Sequence, residues 1–363
     1  MHYTSNLDSL KNCAYDLSHS ARPEWILMRH RNDKRATIRD VAKVAGVSPI
    51  TASRAMQNSG KVRPATRQKV VDAARQLDYI PNLAAGTLAT NASHLVAVIL
   101  PNMSNSIFAD TLQSISDSLR DSGYQLLVGY SDNSPELEES LVRTFLSRRA
   151  DAIVLTGHVH SDQTNALLKS AAIPIVEMWS LNDEPLGACV GISNFDAAYS
   201  MTDYLCGKGH QKVGFIGGLL KNNDRTQSRL DGYRAALKAH KLQVDENLIR
   251  DVPFEFEDGA RAMGELLADN QLDAVFAASD ILALGALLEC NRRNLRVPED
   301  IAVAGFDDER LAKLIKPSLT TIGVPRRAIG EKVAGVVLAA LRGEAETQRV
   351  FDMGFSLVER DSA

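Results

Sequence analysis

The chain has few of the residues that build cross-linked, metal-bound or membrane-embedded proteins. Among its 363 residues are four cysteines and two tryptophans, and only 6% are aromatic. The cysteines (Cys13, Cys189, Cys206 and Cys290) are scattered without a CxxC pair. This spacing argues against a zinc site or a disulfide framework and favours reduced thiols in a cytoplasmic protein. No run of about 18 apolar residues is present, and the N-terminus has no basic-then-apolar secretory pattern, so we expect no membrane association.

Signatures of catalysis are scarce as well. The sequence contains no GxGxxG motif, no P-loop and no recognisable nucleophile–base set; Asp280 and Asp307 are carboxylates without such partners. The segment GHVH brings His158 and His160 close together, but two histidines without further ligands indicate a metal only weakly. We therefore expect that the protein is not an enzyme and that it binds no cofactor and no metal.

What the chain does have is an uneven distribution of charge. Its net charge is −4, yet residues 29–80 carry twelve Lys and Arg against four Asp and Glu, whereas residues 81–363 carry 27 against 38. A compact basic segment on an acidic body is typical of a nucleic-acid-binding head joined to a domain with another task. A solvated charged surface would have the same composition, so charge alone leaves both interpretations open.

The basic segment predicts short helices. Residues 1–35 lack apolar periodicity and are interpreted as a disordered arm, or as residues upstream of the true start, since Met28 precedes the organised region. Thr37 is expected to cap a first helix with Asp40 in a capping box, and Gly46 to end it. Ser48 and Pro49 are expected to open a second helix, PITASRAM. Pro64 can open a third helix, ATRQKVVDAARQL, although Arg63 is a poor cap for it; the inward positions are Val70, Val71, Ala74 and Leu77.

Two helices joined by a tight glycine turn let the second lie in the major groove of DNA. Its exposed face would present Pro49, Ile50, Ser53 and Arg54. Arg54 could make a bidentate contact with guanine or reach a phosphate, and Thr51 and Ser53 could bind phosphates, with Lys61 adding charge. The alternative from these residues alone is a plain three-helix bundle with a charged surface.

From residue 95 onward, short β-branched runs alternate with amphipathic helices. This alternation predicts parallel sheets with helices on both faces, and the length allows two such sheets, with ligand sites at the carboxyl ends of the strands. Strands are predicted from Leu95, Gln125, Ala152, Ile173, Lys212, Ala274, Ile301 and Thr320. Helices are predicted over 108–121, 135–148, 195–207, 227–240, 257–268, 280–293 and 326–342.

Several stretches resemble one family. TIRDVAKVAGVSPITASRAM and TRQKVVDAARQLDYIPNLAAGTLAT resemble the N-terminal signature of the LacI/galactose-repressor family of bacterial transcription regulators. DGYRAAL, FAASDILALGAL, VPEDIAVAGFDD and SLTTI follow where that family has equivalent stretches, so the resemblance runs from about residue 36 to 360. LPNMSNSIFAD, IPIVEMWS and DMGFSL most resemble its gluconate-operon repressor branch.

The resemblance implies a small all-α helix-turn-helix head and an α/β two-lobed, periplasmic-binding-protein-like domain. The expected boundaries are 1–35 for the arm, 36–80 for the head, 81–93 for a hinge helix or linker and 94–363 for effector binding and dimerisation. In the family, hinge helices of a homodimer enter the minor groove, where Leu88 would pry open a base step beside contacts from Asn82 and Ala85. A flexible linker is the alternative. The full DNA-binding set expected is Thr37, Ser48, Pro49, Ile50, Thr51, Ser53, Arg54, Lys61, Asn82, Ala85 and Leu88.

The resemblance also implies an effector pocket between the lobes. Asp280 would accept ligand hydroxyls, and Arg229, with Arg225 one helical turn earlier, would grip a carboxylate or phosphate. Their alternative roles are a helix N-cap for Asp280 and a solvated surface arginine for Arg225. Trp179 departs from the family, which often has a carboxylate nearby. The full effector-binding set expected is Phe108, Thr156, Trp179, Arg225, Arg229, Phe254 and Asp280.

These inferences converge on a cytoplasmic, nucleoid-associated repressor of sugar-acid catabolism genes. Its expected partners are double-stranded operator DNA, a second copy of the chain, and an effector such as gluconate, a keto-gluconate or 6-phosphogluconate. A sugar-binding transport protein shares the two-lobed fold, but it would need a secretory signal and would not carry residues 36–90. The sequence does not give the operator sequence, since Pro49 and Ile50 replace hydrogen-bonding residues of relatives. It also does not tell whether the effector releases or promotes DNA binding. The choice between a dimer and a tetramer is open too, although no leucine heptad of the kind that forms tetramers in some relatives follows residue 342.

Overall fold

The computed structural model describes residues 36–56, 62–80, 92–102, 107–269, 271–344 and 347–363. The chain divides into two compact units, residues 1–85 and 86–363. The expectations placed on residues 1–35, Lys61, Asn82, Ala85 and Leu88 lie outside the described residues. Within the described ranges, no helix is long and apolar enough to cross a membrane.

The head contains helices α1 (Ile38–Ala45), α2 (Pro49–Met56) and α3 (Pro64–Gln76). The capping box is confirmed, because the Asp40 carboxylate accepts from the Thr37 N–H at 2.8 Å while Thr37 Oγ1 accepts from the Asp40 N–H at 3.4 Å. Gly46 ends α1 with a φ of 66°, a left-handed conformation that glycine adopts without a Cβ penalty. Ser48 caps α2 by accepting the Thr51 N–H at 3.1 Å.

The inward face of α3 differs by one position from the prediction. Val71 was expected inside, but it is only half-buried and lies outside the head's core cluster. Ala73 is buried instead. The spacing of residues 70, 73, 74 and 77 follows one helix face, and Val71 lies at its margin. The buried core of the head is Val41, Ala42, Ala52, Ala55, Val70, Ala73 and Ala74.

The second unit is built from two sheets. The strands are β1 (Leu95–Leu100), β2 (Gln125–Tyr130), β3 (Ala152–Thr156), β4 (Ile175–Met178), β5 (Ala188–Gly191), β6 (Val213–Gly218), β7 (Ile249–Val252), β8 (Ala274–Ala277), β9 (Ala302–Asp307), β10 (Thr320–Gly323), β11 (Val350–Asp352) and β12 (Ser356–Val358). The helices are α4 (Ile107–Arg120), α5 (Pro135–Ser147), α6 (Asp162–Ser170), α7 (Asn194–Gly207), α8 (Asp224–Ala239), α9 (Phe256–Asp269), α10 (Asp280–Arg292) and α11 (Arg326–Leu341).

The strand order defines two lobes. The first-lobe sheet runs β11-β5-β4-β3-β1-β2, and the second-lobe sheet runs β12-β10-β9-β8-β6-β7. Neighbouring strands are parallel except β10 and β12. Because α7 packs in the second lobe and α11 packs on α4 in the first, the chain crosses between the lobes after β5, after β10 and after β11. The expected two-lobed α/β architecture with parallel sheets is therefore present.

Both faces of each sheet are buried. Along β1, Val96, Val98 and Leu100 join one core cluster while Ala97 and Ile99 join another. This two-residue alternation, with apolar side chains on both faces, is what helices packed on either side of a parallel sheet require. The carboxyl ends of the strands in both lobes are thereby left to border the cleft between them.

Candidate ligand cleft and nucleic-acid interface

Loops at the carboxyl ends of strands from both lobes border a cleft of about 420 Å³, including space open to solvent. The first lobe contributes residues that follow β1, β2 and β4 and the start of α4. The second lobe contributes the start of α8, the loop after β7 and the ends of β8 and β9. The lining residues are Pro101, Asn102, Ile107, Phe108, Asn133, Trp179, Asn223, Arg225, Thr226, Arg229, Phe254, Ser279 and Asp307.

Arg229 is a fixed, buried cation in this wall. It is 4% exposed, and its guanidinium donates to Asn194 Oδ1 at 2.9 Å and to the Ala278 carbonyl at 2.6 Å. The guanidinium carbon lies 3.6 Å from the centre of the Phe306 ring, a cation–π contact. Burial lowers the pKa of Arg229 to about 10, so the group stays charged at neutral pH. A rigid cation of this kind suits a carboxylate or phosphate.

Arg225 is held by a charge cluster that joins the lobes. Its guanidinium donates to Asp224 Oδ1 at 2.9 Å, and Asp224 Oδ2 in turn accepts from Ser180 Oγ at 2.7 Å and from the His158 N–H at 3.1 Å. Burial acts to raise the pKa of Asp224. The Arg225 guanidinium and the His158 imidazole, whose Nδ1 lies 2.9 Å from Asp224 Oδ2, outweigh it and hold that pKa well below its ordinary value. Ser180 and His158 belong to the first lobe, so this cluster positions Arg225 across the cleft.

Gly157 lets the side chains of Asp224 and Arg225 approach the loop after β3 closely. Its φ is 86°, and a Cβ built there would lie 2.4 Å from an Arg225 guanidinium nitrogen and 2.5 Å from Asp224 Oδ1. A side chain at this position would therefore collide with the Asp224 and Arg225 side chains and would be strained at this φ.

The second-lobe carboxylate that lines the cleft is Asp307 and not the expected Asp280. Asp280 does not line the cleft, and both of its carboxylate oxygens are occupied: Thr321 Oγ1 donates to Oδ1 at 2.6 Å, and the Glu309 N–H donates to Oδ2 at 2.6 Å. Asp307 lines the cleft instead, and its Oδ2 accepts from Ser279 Oγ at 3.0 Å. Burial raises the pKa of Asp307 to about 6. The structure thus offers Asp307, which the sequence reasoning did not select for the ligand, in the place expected of Asp280. Its position at the carboxyl end of a predicted strand was the available signal.

Of the other expected effector residues, three line the cleft and one does not. Phe108, Trp179 and Phe254 line the cleft, and the Phe108 and Trp179 rings meet edge-to-face with centroids 5.1 Å apart. Thr156 lies outside it, since its hydroxyl donates to the Ile99 carbonyl at 3.0 Å and the residue borders an adjoining groove. Among the described residues, no group of three or more His, Cys, Asp or Glu is arranged to hold a metal.

On the head, α2 presents the expected surface. Pro49, Ile50 and Arg54 are exposed, with Ile50 at 65%, while Ser53 is half-buried. The hydroxyls of Thr37, Ser48 and Thr51 take part in caps: Thr37 Oγ1 lies 2.7 Å from Asp40 Oδ2, and those of Ser48 and Thr51 lie 2.9 Å apart. A capping hydroxyl keeps an unused lone pair, so it can still receive a hydrogen bond, but its geometry is set by the helix.

Arg54→Ala is expected to weaken operator binding by about 1–3 kcal/mol if Arg54 makes a bidentate base contact. Fluorescence anisotropy with DNA from the protein's own upstream region measures this. Arg75→Ala, which removes another exposed arginine of the head near the end of α3, serves as the matched control. Equal affinity of Arg54→Ala and wild type would remove Arg54 from the interface.

Comparison with known proteins gives consistent results. Residues 37–82 match the family described as "Bacterial regulatory proteins, lacI family", and residues 202–363 match "Periplasmic binding protein-like domain". The chain is 38% identical over 340 residues to the HTH-type transcriptional regulator GntR of Pseudomonas aeruginosa, covering 92% of this chain and 98% of that protein. That relative is a transcription regulator and not an enzyme.

Solved structures agree over most of the chain. A LacI family transcriptional regulator from Silicibacter pomeroyi superposes with a TM-score of 0.84 at 32% identity, covering 90% of this chain and 99% of that one. The lac repressor dimer bound to operator and the anti-inducer ONPF superposes with a TM-score of 0.78 at 26% identity, covering 91% and 99%.

Proposed function

The chain belongs to the LacI family of bacterial regulatory proteins, and we propose that it is a homodimeric repressor of sugar-acid catabolism genes that a gluconate-type effector releases from its operator. As a member of this family it is a DNA-binding transcription regulator. The observation that carries the proposal of a sugar acid is the composition of the cleft, where the buried guanidiniums of Arg225 and Arg229 lie in one wall with the carboxylate of Asp307.

That composition fits a small, polar, anionic molecule with several hydroxyls. Arg229 provides a fixed cation for a carboxylate, Arg225 adds further donors, and Asp307 accepts from hydroxyls. The resemblance of LPNMSNSIFAD, IPIVEMWS and DMGFSL to gluconate-operon repressors points in the same direction. Gluconate, a keto-gluconate or 6-phosphogluconate would satisfy these groups, whereas a neutral hexose would bring no anionic group to the guanidiniums of Arg225 and Arg229.

The DNA-binding part of the proposal assigns the operator to α2 and to the hinge. Arg54, Ile50 and their neighbours would read the major groove, and Asn82, Ala85 and Leu88 of two subunits would enter the minor groove. Effector binding needs to change only the relative stability of two arrangements of the lobes. A typical coupling of about 1–3 kcal/mol weakens operator binding by roughly 5–150-fold, and reciprocity requires operator DNA to weaken effector binding by the same factor.

Calorimetric titration of the full chain with gluconate, 2-ketogluconate, 6-phosphogluconate, glucose and a purine nucleoside tests the effector class. We expect a sugar acid to bind best and to lower affinity for the upstream DNA in anisotropy measurements. Preferential binding of glucose or of the nucleoside would overturn the sugar-acid proposal, and tighter operator binding with the sugar acid would overturn release.

A further inference from the structure

Two buried polar atoms of cleft residues have no hydrogen-bond partner among the described residues. They are the indole Nε1 of Trp179 and the Oδ1 of Asp307. Trp179 is 1% exposed and Asp307 fully buried, and both line the cleft. A buried donor or acceptor without a partner is unfavourable, so such atoms in a binding cleft indicate where a ligand completes the hydrogen bonding. Asp307 already belongs to the proposed site as the acceptor for hydroxyls, whereas the indole N–H has no role yet.

The backbone around Trp179 holds the ring without using its N–H. Trp179 has a φ of 74°, a left-handed conformation that bulky residues rarely adopt and that persists only where surrounding contacts impose it. Its backbone N–H donates to the Val190 carbonyl at 3.0 Å, and its carbonyl accepts from the Asn194 amide at 2.9 Å. The same Asn194 accepts from Arg229 Nε at 2.9 Å, so one side chain contacts both the Trp179 backbone and the buried guanidinium.

We infer that Trp179 determines ligand specificity by donating its indole N–H to an oxygen of the bound sugar acid. The inference rests on the proposed function, which makes this cleft the effector site. An indole N–H can only donate, so the ligand atom opposite it must be an acceptor. Trp179 belongs to the first lobe and Asp307 to the second, so a polyhydroxy acid that accepts from one and donates to the other links the lobes. A ligand that lacks the accepting oxygen leaves the indole N–H unsatisfied and is rejected.

Trp179→Phe tests this because it keeps an aromatic ring against Phe108 and removes the N–H. We titrate gluconate and its monodeoxy analogues into wild type and into Trp179→Phe. In wild type, one analogue is expected to bind roughly 10-fold or more weakly than gluconate. In Trp179→Phe, gluconate itself is expected to fall to about that level, and the same analogue to lose nothing further, because the contact is already absent. The matched control is Trp25→Phe, which removes the only other tryptophan of the chain.

A second measurement does not depend on how Trp179→Phe folds. In the Trp25→Phe protein, Trp179 gives the only indole N–H resonance, which should move downfield on addition of gluconate as the hydrogen bond forms. Wild-type gluconate affinity in a folded Trp179→Phe protein, or an indole resonance unmoved at saturation, would overturn the role of Trp179 and leave the sugar-acid proposal intact. Absence of sugar-acid binding to wild type would instead overturn both.

Discussion

Arg229→Ala is expected to weaken binding of the sugar acid at least roughly 30-fold, since removing one partner of a buried charged contact typically costs about 2–5 kcal/mol and leaves the ligand carboxylate desolvated without a cation. Arg229→Lys should fall between Ala and wild type, because an ammonium keeps the charge but cannot maintain both the contact with Asn194 and the planar contact over Phe306. Calorimetry with gluconate measures the affinities.

The effect of Arg229→Ala on the stability of the ligand-free protein must be separated from its effect on ligand binding. Arg229→Ala also leaves Asn194 Oδ1 and the Ala278 carbonyl without their donor, which costs about 1–3 kcal/mol for each buried group. Arg234→Ala removes an arginine of the same helix that pairs with Glu246 at 2.6 Å on the surface, so it should leave gluconate binding unchanged. A folded Arg229→Ala protein that bound gluconate as tightly as wild type would show that Arg229 is a structural residue and not a ligand contact.

The strands that were predicted correctly are those whose local sequence carries its own signal, such as a continuous apolar run. β1, β3 and β9 are apolar on both faces because helices cover both sides, and such continuous apolar runs are recognisable without a structure. Four strands went unpredicted, and all are short: β5 and β7 have four residues each, and β11 and β12 have three. β11 pairs with β5 across more than 150 residues of chain, so its conformation depends on a partner that no local pattern contains.

The same distinction applies to the cleft. Arg225 and Arg229 were identified through the family resemblance, and helical spacing placed them one turn apart. Asp280 and Asp307 both follow a strand, and nothing local tells which carboxylate faces the cleft. The answer depends on Thr321 and on the Glu309 N–H, which belong to other segments and hold Asp280 away from it. Position at a strand end therefore predicts a place in the cleft wall but not the direction of a side chain.

His160 shows a site that the sequence could not have revealed. GHVH suggested only a weak metal signal, yet the structure buries the imidazole, 1% exposed, between two carboxylates from distant segments. Its Nδ1 lies 2.8 Å from Glu138 and its Nε2 lies 3.7 Å from Glu177. Burial acts to lower the pKa of His160, but the two carboxylates outweigh it and raise the pKa to about 9. The imidazole is thus a cation in the folded protein at neutral pH and compensates two buried acids of the first lobe.

Wild type is therefore expected to lose stability as pH rises from about 6.5 to about 9, because the folded pKa of His160 lies above its unfolded value and the proton is held more tightly when folded. The loss should be on the order of 2–3 kcal/mol over that window, and full stability from this group should be present below it. Chemical denaturation followed by Trp179 fluorescence in the Trp25→Phe protein measures this first-lobe transition.

His160→Gln should flatten that pH dependence and should lower stability at pH 6 by about 3–5 kcal/mol, because Glu138 and Glu177 stay buried without a cation. His240→Gln provides the matched control: His240 makes an equally short contact with Asp203, at 2.7 Å, but on the surface, where such a pair contributes about 0–1 kcal/mol. The two variants thus separate burial from ion pairing as the source of the effect. A His160→Gln profile that runs parallel to wild type between pH 6.5 and 9 would mean that the imidazole is neutral in the folded protein.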